Sequence, residues 1–159
     1  MVDFVNYYYI FKSMKQKHIN EIRAFNRFYT IIIGLLDRHI LDSQFTLPEA
    51  RVLFELNRNN NITASEIITS LHMDKGYLSR MLKQFEKKKM IFKVRSESDR
   101  RITHIRLTQS GKEQFEKLDK ASNDQIAGLL KQLSSKECEL LIKNMNSIES
   151  ILNKVEVSQ

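Results

Sequence analysis

The largest group of side chains able to do chemistry in this 159-residue chain is its 26 lysines and arginines, and they are crowded. Between His72 and Lys112 stand Lys75, Arg80, Lys83, Lys87, Lys88, Lys89, Lys93, Arg95, Arg100, Arg101, Arg106 and Lys112. Only Asp74, Glu86, Glu97 and Asp99 oppose them. That stretch carries +8 of a chain total of +7, so the remainder is −1. A basic excess confined to about a quarter of the chain is the electrostatic footprint of a polyanion binder. Nucleophiles and metal ligands are scattered by comparison. Cys138 is the one cysteine and has no disulfide partner within the chain; on the inner stripe of a helix it reads as a small core hydrophobe. His18, His39, His72 and His104 show no ligand spacing, so neither a metal nor another cofactor is expected. There is no phosphate-cradling glycine loop, nucleophile elbow or zinc motif, and the chain is not expected to be an enzyme.

The elements that must position these cations are mostly helical. One proline and four glycines cannot punctuate a β-sandwich or barrel, while 42% apolar and 28% charged residues suit a folded protein rather than a disordered one. From about Phe4 to Leu41, Phe11, Met14, His18, Ile22, Phe25, Tyr29, Ile32, Leu36 and Ile40 recur at helical steps, with Gln16 and Gly34 as the expected points of a break or bend. Thr46 with Glu49, Thr63 with Glu66 and Ser134 with Glu137 are capping boxes that open three further helices, the first with Pro48 in its opening turn. Asp74 caps another helix, expected over about 74–88. There Leu78, Met81, Leu82 and Phe85 share one face, and Gly76, Arg80, Lys83, Gln84 and Lys87 share the opposite one.

The period then changes to two. Phe92 and Val94 alternate with Lys93 and Arg95, and Thr103, Ile105 and Leu107 alternate with Ile102, His104 and Arg106. This predicts a two-stranded hairpin over about 91–107 with a polar tip at Ser96–Arg101. Thr108 is placed to cap a helix of roughly Gln109–Gln132. The expected fold is therefore mainly α with a small β-hairpin wing: a winged helix-turn-helix at 46–108, flanked by helices at 1–45 and 109–159 that carry more apolar stripe than one small winged module can cover.

A short helix, a tight turn and a second helix with a basic outer face match the width of the DNA major groove. A hairpin with arginines at its tip suits the minor groove. Double-stranded DNA is thus the expected polyanion. Two adjacent arginines at a hairpin tip have no packing role, whereas Lys87–Lys89 reads as a solvated helix end favoured by the helix dipole.

The stretch DRRITHIRLTQSG (Asp99–Gly111) resembles the wing signature of MarR-type winged-helix regulators at Asp99, Arg101, Leu107, Thr108 and Gly111. LPEARVLFEL and TASEIITSLHMDKGYLSRMLKQFEKKKMI are similar to that family in order and length. The resemblance implies a homodimeric transcriptional regulator, more often a repressor, on a pseudo-palindromic operator. Lys75, Gly76, Tyr77, Ser79, Arg80 and Lys83 would face the major groove, and Arg100 and Arg101 the minor groove. Asp99 would orient the wing arginine through an ion pair. Lys93, Arg95, Thr63 and Ser65 would approach phosphates. It also implies a small aromatic or lipophilic effector, with His18, Tyr29 and Arg51 as pocket residues.

Two other readings use the same residues: a sequence-indifferent architectural DNA binder, and a winged-helix protein-interaction module. The aromatic run Phe4, Tyr7, Tyr8, Tyr9 and Phe11 reads as dimer core rather than a ligand cage. The N-terminus places apolar residues before basic ones, the reverse of a signal peptide. With no apolar run long enough for a membrane span, a cytoplasmic protein without membrane contact is expected.

Overall fold

The computed structural model describes residues 4–33 and 43–155, with side chains from residue 15 onward. Six helices and three strands follow in the order α1 (Phe4–Ile32), α2 (Leu47–Arg58), β1 (Ile62–Thr63), α3 (Ala64–Leu71), α4 (Lys75–Lys87), β2 (Ile91–Arg95), β3 (Thr103–Leu107), α5 (Gln109–Leu130) and α6 (Ser135–Leu152). Two compact units divide them, Met1–Lys112 and Glu113–Gln159. The mainly helical fold with a small antiparallel sheet is the one the sequence predicts.

Helix α1 runs unbroken through Gln16, one of the two candidate positions for a break or bend. Gly34, Leu36 and Ile40, and the side chains of the aromatic run and Met14, lie outside what is described. Glu49 reaches back to the Thr46 N–H at 2.8 Å at the start of α2. At α3, Thr63 Oγ1 accepts from the Glu66 N–H (3.2 Å) and Glu66 accepts from the Thr63 N–H (2.7 Å). Ser134 and Glu137 repeat this reciprocal pair at α6.

The first unit's core is made where α2, α3, α4 and the sheet meet. Val52, Leu53, Leu56, Ile67, Leu78, Met81, Leu82 and Phe85 are buried, and Phe45 packs edge-on to Phe85 with ring centres 6.4 Å apart. The apolar stripe of α4 is thus consumed inside its own module. At about 2 kcal/mol per buried side chain, that stripe is what orients the helix.

The sheet order is β1-β3-β2, all antiparallel, so a third strand joins the two that were expected. β1 has two residues, Ile62 opposite Ile105 and Thr63 opposite His104, too few to show a period. In β2, Ile91 pairs with Leu107 and turns inward, which sends Phe92 to the outer face opposite Arg106. Phe92 is accordingly 42% exposed.

Candidate nucleic-acid interface

Residues His72, Met73 and Asp74 make the turn between α3 and α4. His72 adopts a left-handed conformation (φ 48°) that ends α3, and the Met73 N–H closes back on the Ile68 carbonyl at 3.2 Å. Asp74 then caps α4, its carboxylate accepting the Tyr77 N–H at 2.7 Å. That bond fixes the start of the helix but fills one of the N–H groups a phosphate would otherwise use.

With Leu78, Met81, Leu82 and Phe85 turned inward, Lys75, Gly76, Tyr77, Ser79, Arg80 and Lys83 are all exposed on α4. A Cβ at Gly76 would lie 3.5 Å from Arg80 Nη1 and only 3.2 Å from Asp74 Oδ1, the oxygen that caps the helix. Among the described residues, no acidic side chain pairs with Lys75, Arg80 or Lys83.

Helix α4 ends in a Schellman-type motif. The Met90 N–H bonds the Phe85 carbonyl and the Lys89 N–H the Glu86 carbonyl, both at 2.9 Å, with Lys89 left-handed at φ 56°. This turn feeds β2, and Lys93 Nζ reaches back to Glu86 Oε2 at 2.8 Å. Lys93 was expected to approach phosphate; its amine instead ties the base of the wing to α4. Arg95 is exposed nearer the tip and, with Ser96, Glu97 and Arg100, lines a shallow depression of about 470 Å³.

The tip is ordered by its own polar groups. The Ser96 N–H bonds the Ile102 carbonyl, the Ile102 N–H bonds the Asp99 carbonyl, and the Ser96 and Ser98 hydroxyls lie 2.9 Å apart. Asp99 does not hold a guanidinium as expected. Its Oδ1 accepts the backbone N–H of Arg101 at 2.9 Å, the geometry of an Asx turn. The wing is shaped through its backbone, and the side chains of Arg100 and Arg101 stay exposed without an ion pair among the described residues.

The base of the wing explains Leu107, Thr108 and Gly111. Leu107 is buried. Thr108 Oγ1 donates to the Lys89 carbonyl at 2.7 Å and accepts the Gly111 N–H at 3.0 Å, while the Thr108 N–H bonds the Met90 carbonyl. A Cβ on Gly111 would run into that same Met90 carbonyl oxygen. One threonine and one glycine therefore lock the start of α5 onto the turn after α4.

The remaining expected residues are less engaged. The Thr63 hydroxyl donates to Glu66 at 2.8 Å and works as a cap, while Ser65 is exposed. These bonds from the Thr63 N–H and hydroxyl hold the Glu66 carboxyl below the usual glutamate range. His18 and Arg51 are exposed, and Tyr29 is half-buried with its ring stacked on Phe25 at 5.7 Å. Among the described residues, no hydrogen bond or ring contact joins these three. Cys138 is a half-buried free thiol. Among the described residues, no cluster of His, Cys, Asp or Glu could hold a metal ion, and no helix is long and apolar enough to cross a membrane. Sequence reasoning did not find Glu86 as the partner of Lys93, nor Asn60 and Asn61 as partners of Arg106. For Glu86 and Asn61 the hint was side-chain carboxylate and amide chemistry near basic strands; Asn60 acts through its backbone carbonyl, which no residue type announces.

A sequence profile described as the MarR family matches residues 45–103. The chain is 31% identical over 97 residues to the uncharacterized HTH-type transcriptional regulator YdgJ of Bacillus subtilis, covering 61% of this chain and 59% of that one. It spans less than two thirds of that relative's length. Against the HTH-type transcriptional regulator BilQ of Clostridioides difficile the identity is 25% over 104 residues, covering 65% and 70% of the two chains. Among solved structures, Streptococcus pneumoniae FabT in complex with DNA superposes with a TM-score of 0.74 at 19% identity, over 89% of this chain and 99% of that one. Apo MarR from E. coli gives 0.65 at 23% identity, over 79% and 94%. At such identities these structures speak for the fold.

Proposed function

We propose that this chain, whose residues 45–103 match the MarR family profile, is a member of that family and a transcriptional regulator binding double-stranded DNA with sequence specificity. The observation that carries the reading is the division of labour on α4. Its apolar face is buried, while Lys75, Tyr77, Ser79, Arg80 and Lys83 are exposed beside a wing whose tip presents Arg100 and Arg101. In this reading α4 enters the major groove with Tyr77, Ser79 and Arg80 nearest the base edges, and the wing arginines enter the adjoining minor groove. Thr63, Ser65, Lys93 and Arg95 lie toward the phosphates, Lys93 giving up its bond to Glu86 to do so. A neighbour of the same fold is solved in complex with DNA, which supports this reading.

The active form is a homodimer, and the observation in favour is the bare apolar surface of the long helices. Ile22, Phe28 and Ile31 on α1, and Leu140, Ile142, Ile151 and Leu152 on α6, are more than half exposed in the single chain. A two-fold dimer would address half-sites about one helical turn apart, roughly 10 bp, on a pseudo-palindromic operator. Segments 1–45 and 109–159 are the dimerisation regions in this scheme. The regulator is a cytoplasmic repressor released by a small aromatic or lipophilic effector, with His18, Tyr29 and Arg51 as pocket residues.

The test is binding to duplex DNA spanning the chain's own promoter region as salt is raised, with random-sequence competitor present. Affinity should fall steeply with salt, and competitor should displace the operator poorly. Arg101→Ala should weaken binding by roughly 1–3 kcal/mol. Unchanged binding by that variant would remove the wing from the interface. Equal displacement by competitor would leave only a sequence-indifferent binder.

A further inference from the structure

Of the four acids that stand among the cations of residues 72–112, two are occupied by backbone. Asp74 accepts the Tyr77 N–H at 2.7 Å, and Asp99 accepts the Arg101 N–H at 2.9 Å. Glu97 is exposed near the wing tip and makes no ion pair among the described residues. Among the described residues, Glu86 is the one acid of this stretch that holds a cation: Lys93 Nζ lies 2.8 Å from Glu86 Oε2. Arg95, two residues further along β2 and on the same face of the strand, has no such partner among the described residues.

Glu86 is badly placed for the helix that carries it. It lies in the last turn of α4 (Lys75–Lys87), where the helix dipole favours cations and opposes a carboxylate. The fold gains little from the pair in return. The two side chains are 41% and 45% exposed, and an ion pair so open to water contributes little stability. What the carboxylate does change is the surface: it neutralises a lysine at the junction of α4 and the wing. Any phosphate offered to Lys93 must displace an acceptor already in place. Because the pair is half exposed while Leu82 and Phe85 beside it on α4 stay buried, that exchange needs no repacking of the core. We propose that Glu86 is a built-in competitor with DNA phosphate for Lys93, which sets affinity for duplex below what the surface cations alone would give. The inference rests on the regulator reading above. Glu86 acts through Lys93 and is a positioning residue, not a DNA contact. Phosphate carries no sequence information, so the competition weakens operator and random duplex alike.

The test is a double-mutant cycle in the full chain, with Glu86→Gln, Lys93→Gln and both together, each titrated with operator duplex over a salt series. Wild-type retention of the operator is measured first; its absence is the failure of the regulator reading, and this inference falls with it. Given that retention, Glu86→Gln should keep the wild-type melting temperature and bind about three- to tenfold more tightly at low salt. Its salt dependence should steepen by up to about one phosphate contact, and that of Lys93→Gln should become shallower by a similar amount. In the Lys93→Gln background, Glu86→Gln should gain less than about twofold, because the residue through which it acts is gone. Random-sequence duplex should follow the operator in each case. Unchanged or weaker binding by Glu86→Gln, a gain of about twofold or more without Lys93, or a gain confined to the operator would each overturn the proposal while leaving the regulator reading intact.

Discussion

Helices α4 and α6 are both amphipathic, and they spend their apolar faces in opposite ways. α4 buries Leu78, Met81, Leu82 and Phe85 within its own unit and turns cations outward, whereas α6 buries none of its residues and leaves Leu140, Ile142, Ile151 and Leu152 mostly bare. The first arrangement is complete in one chain; what it lacks is a counter-charge. The second lacks a hydrophobic partner. A module that is finished internally and basic externally is suited to a polyanion, and a bare apolar helix is suited to another protein surface, which in the proposed dimer is a second copy.

That contrast breaks most sharply under substitutions on the two stripes. Phe85→Ala should cost about 3–5 kcal/mol and collapse the thermal transition of the winged module, because the ring is fully enclosed. Ile148→Glu on α6 should leave the helical circular dichroism of the chain almost unchanged while lowering its mass by sedimentation from dimer toward monomer. If Ile148→Glu unfolded the protein as Phe85→Ala does, α6 would belong to a single-chain core and the contrast would fail.

Lys89→Gly tests the link between α4 and the wing. Lys89 is left-handed at φ 56°, a conformation costing a side-chain-bearing residue about 1 kcal/mol relative to glycine. The variant should gain up to that amount in denaturant unfolding. A loss would mean that the lysine side chain holds the turn.

The smallest effect is at the helix starts. Bonds from Thr63 hold the Glu66 carboxyl below its ordinary range, and Ser134 does the same for Glu137. A lowered folded-state value means the contribution is fully present above the ordinary glutamate pKa and is lost as pH falls through the lowered one. Amide protection factors, corrected for the intrinsic pH dependence of exchange, should therefore fall in the first turns of α3 and α6 on acidification through that window. Glu66→Gln should flatten the response at α3 alone.

Local chemistry made much of this legible. Thr63–Glu66, Ser134–Glu137 and Asp74 announce helix starts because their partners lie three residues away, and the inward face of α4 follows from spacing alone. Features set by distant pairing were hidden. Two residues, Ile62 and Thr63, become a strand only because Ile105 and His104 lie opposite. The outward turn of Phe92 depends on Ile91 meeting Leu107. His72 and Lys89 adopt left-handed turns without the glycine that would have marked them. At the candidate interface, the exposure of Arg80, Arg100 and Arg101 could be read from the pattern. That Asp99 acts on the Arg101 backbone, and that Lys93 answers to Glu86, could not, because both depend on the path of the folded wing.

The most direct test asks whether α4 and the wing meet the two grooves of one duplex. Dimethyl sulfate probes guanine N7 in the major groove and adenine N3 in the minor groove of a bound operator. Wild-type protein should protect both, in two sets about one helical turn apart. Arg80→Ala should lose N7 protection and keep N3 protection, and Arg101→Ala should do the reverse. Protection confined to one groove, or lost together in both variants without loss of binding, would contradict the account.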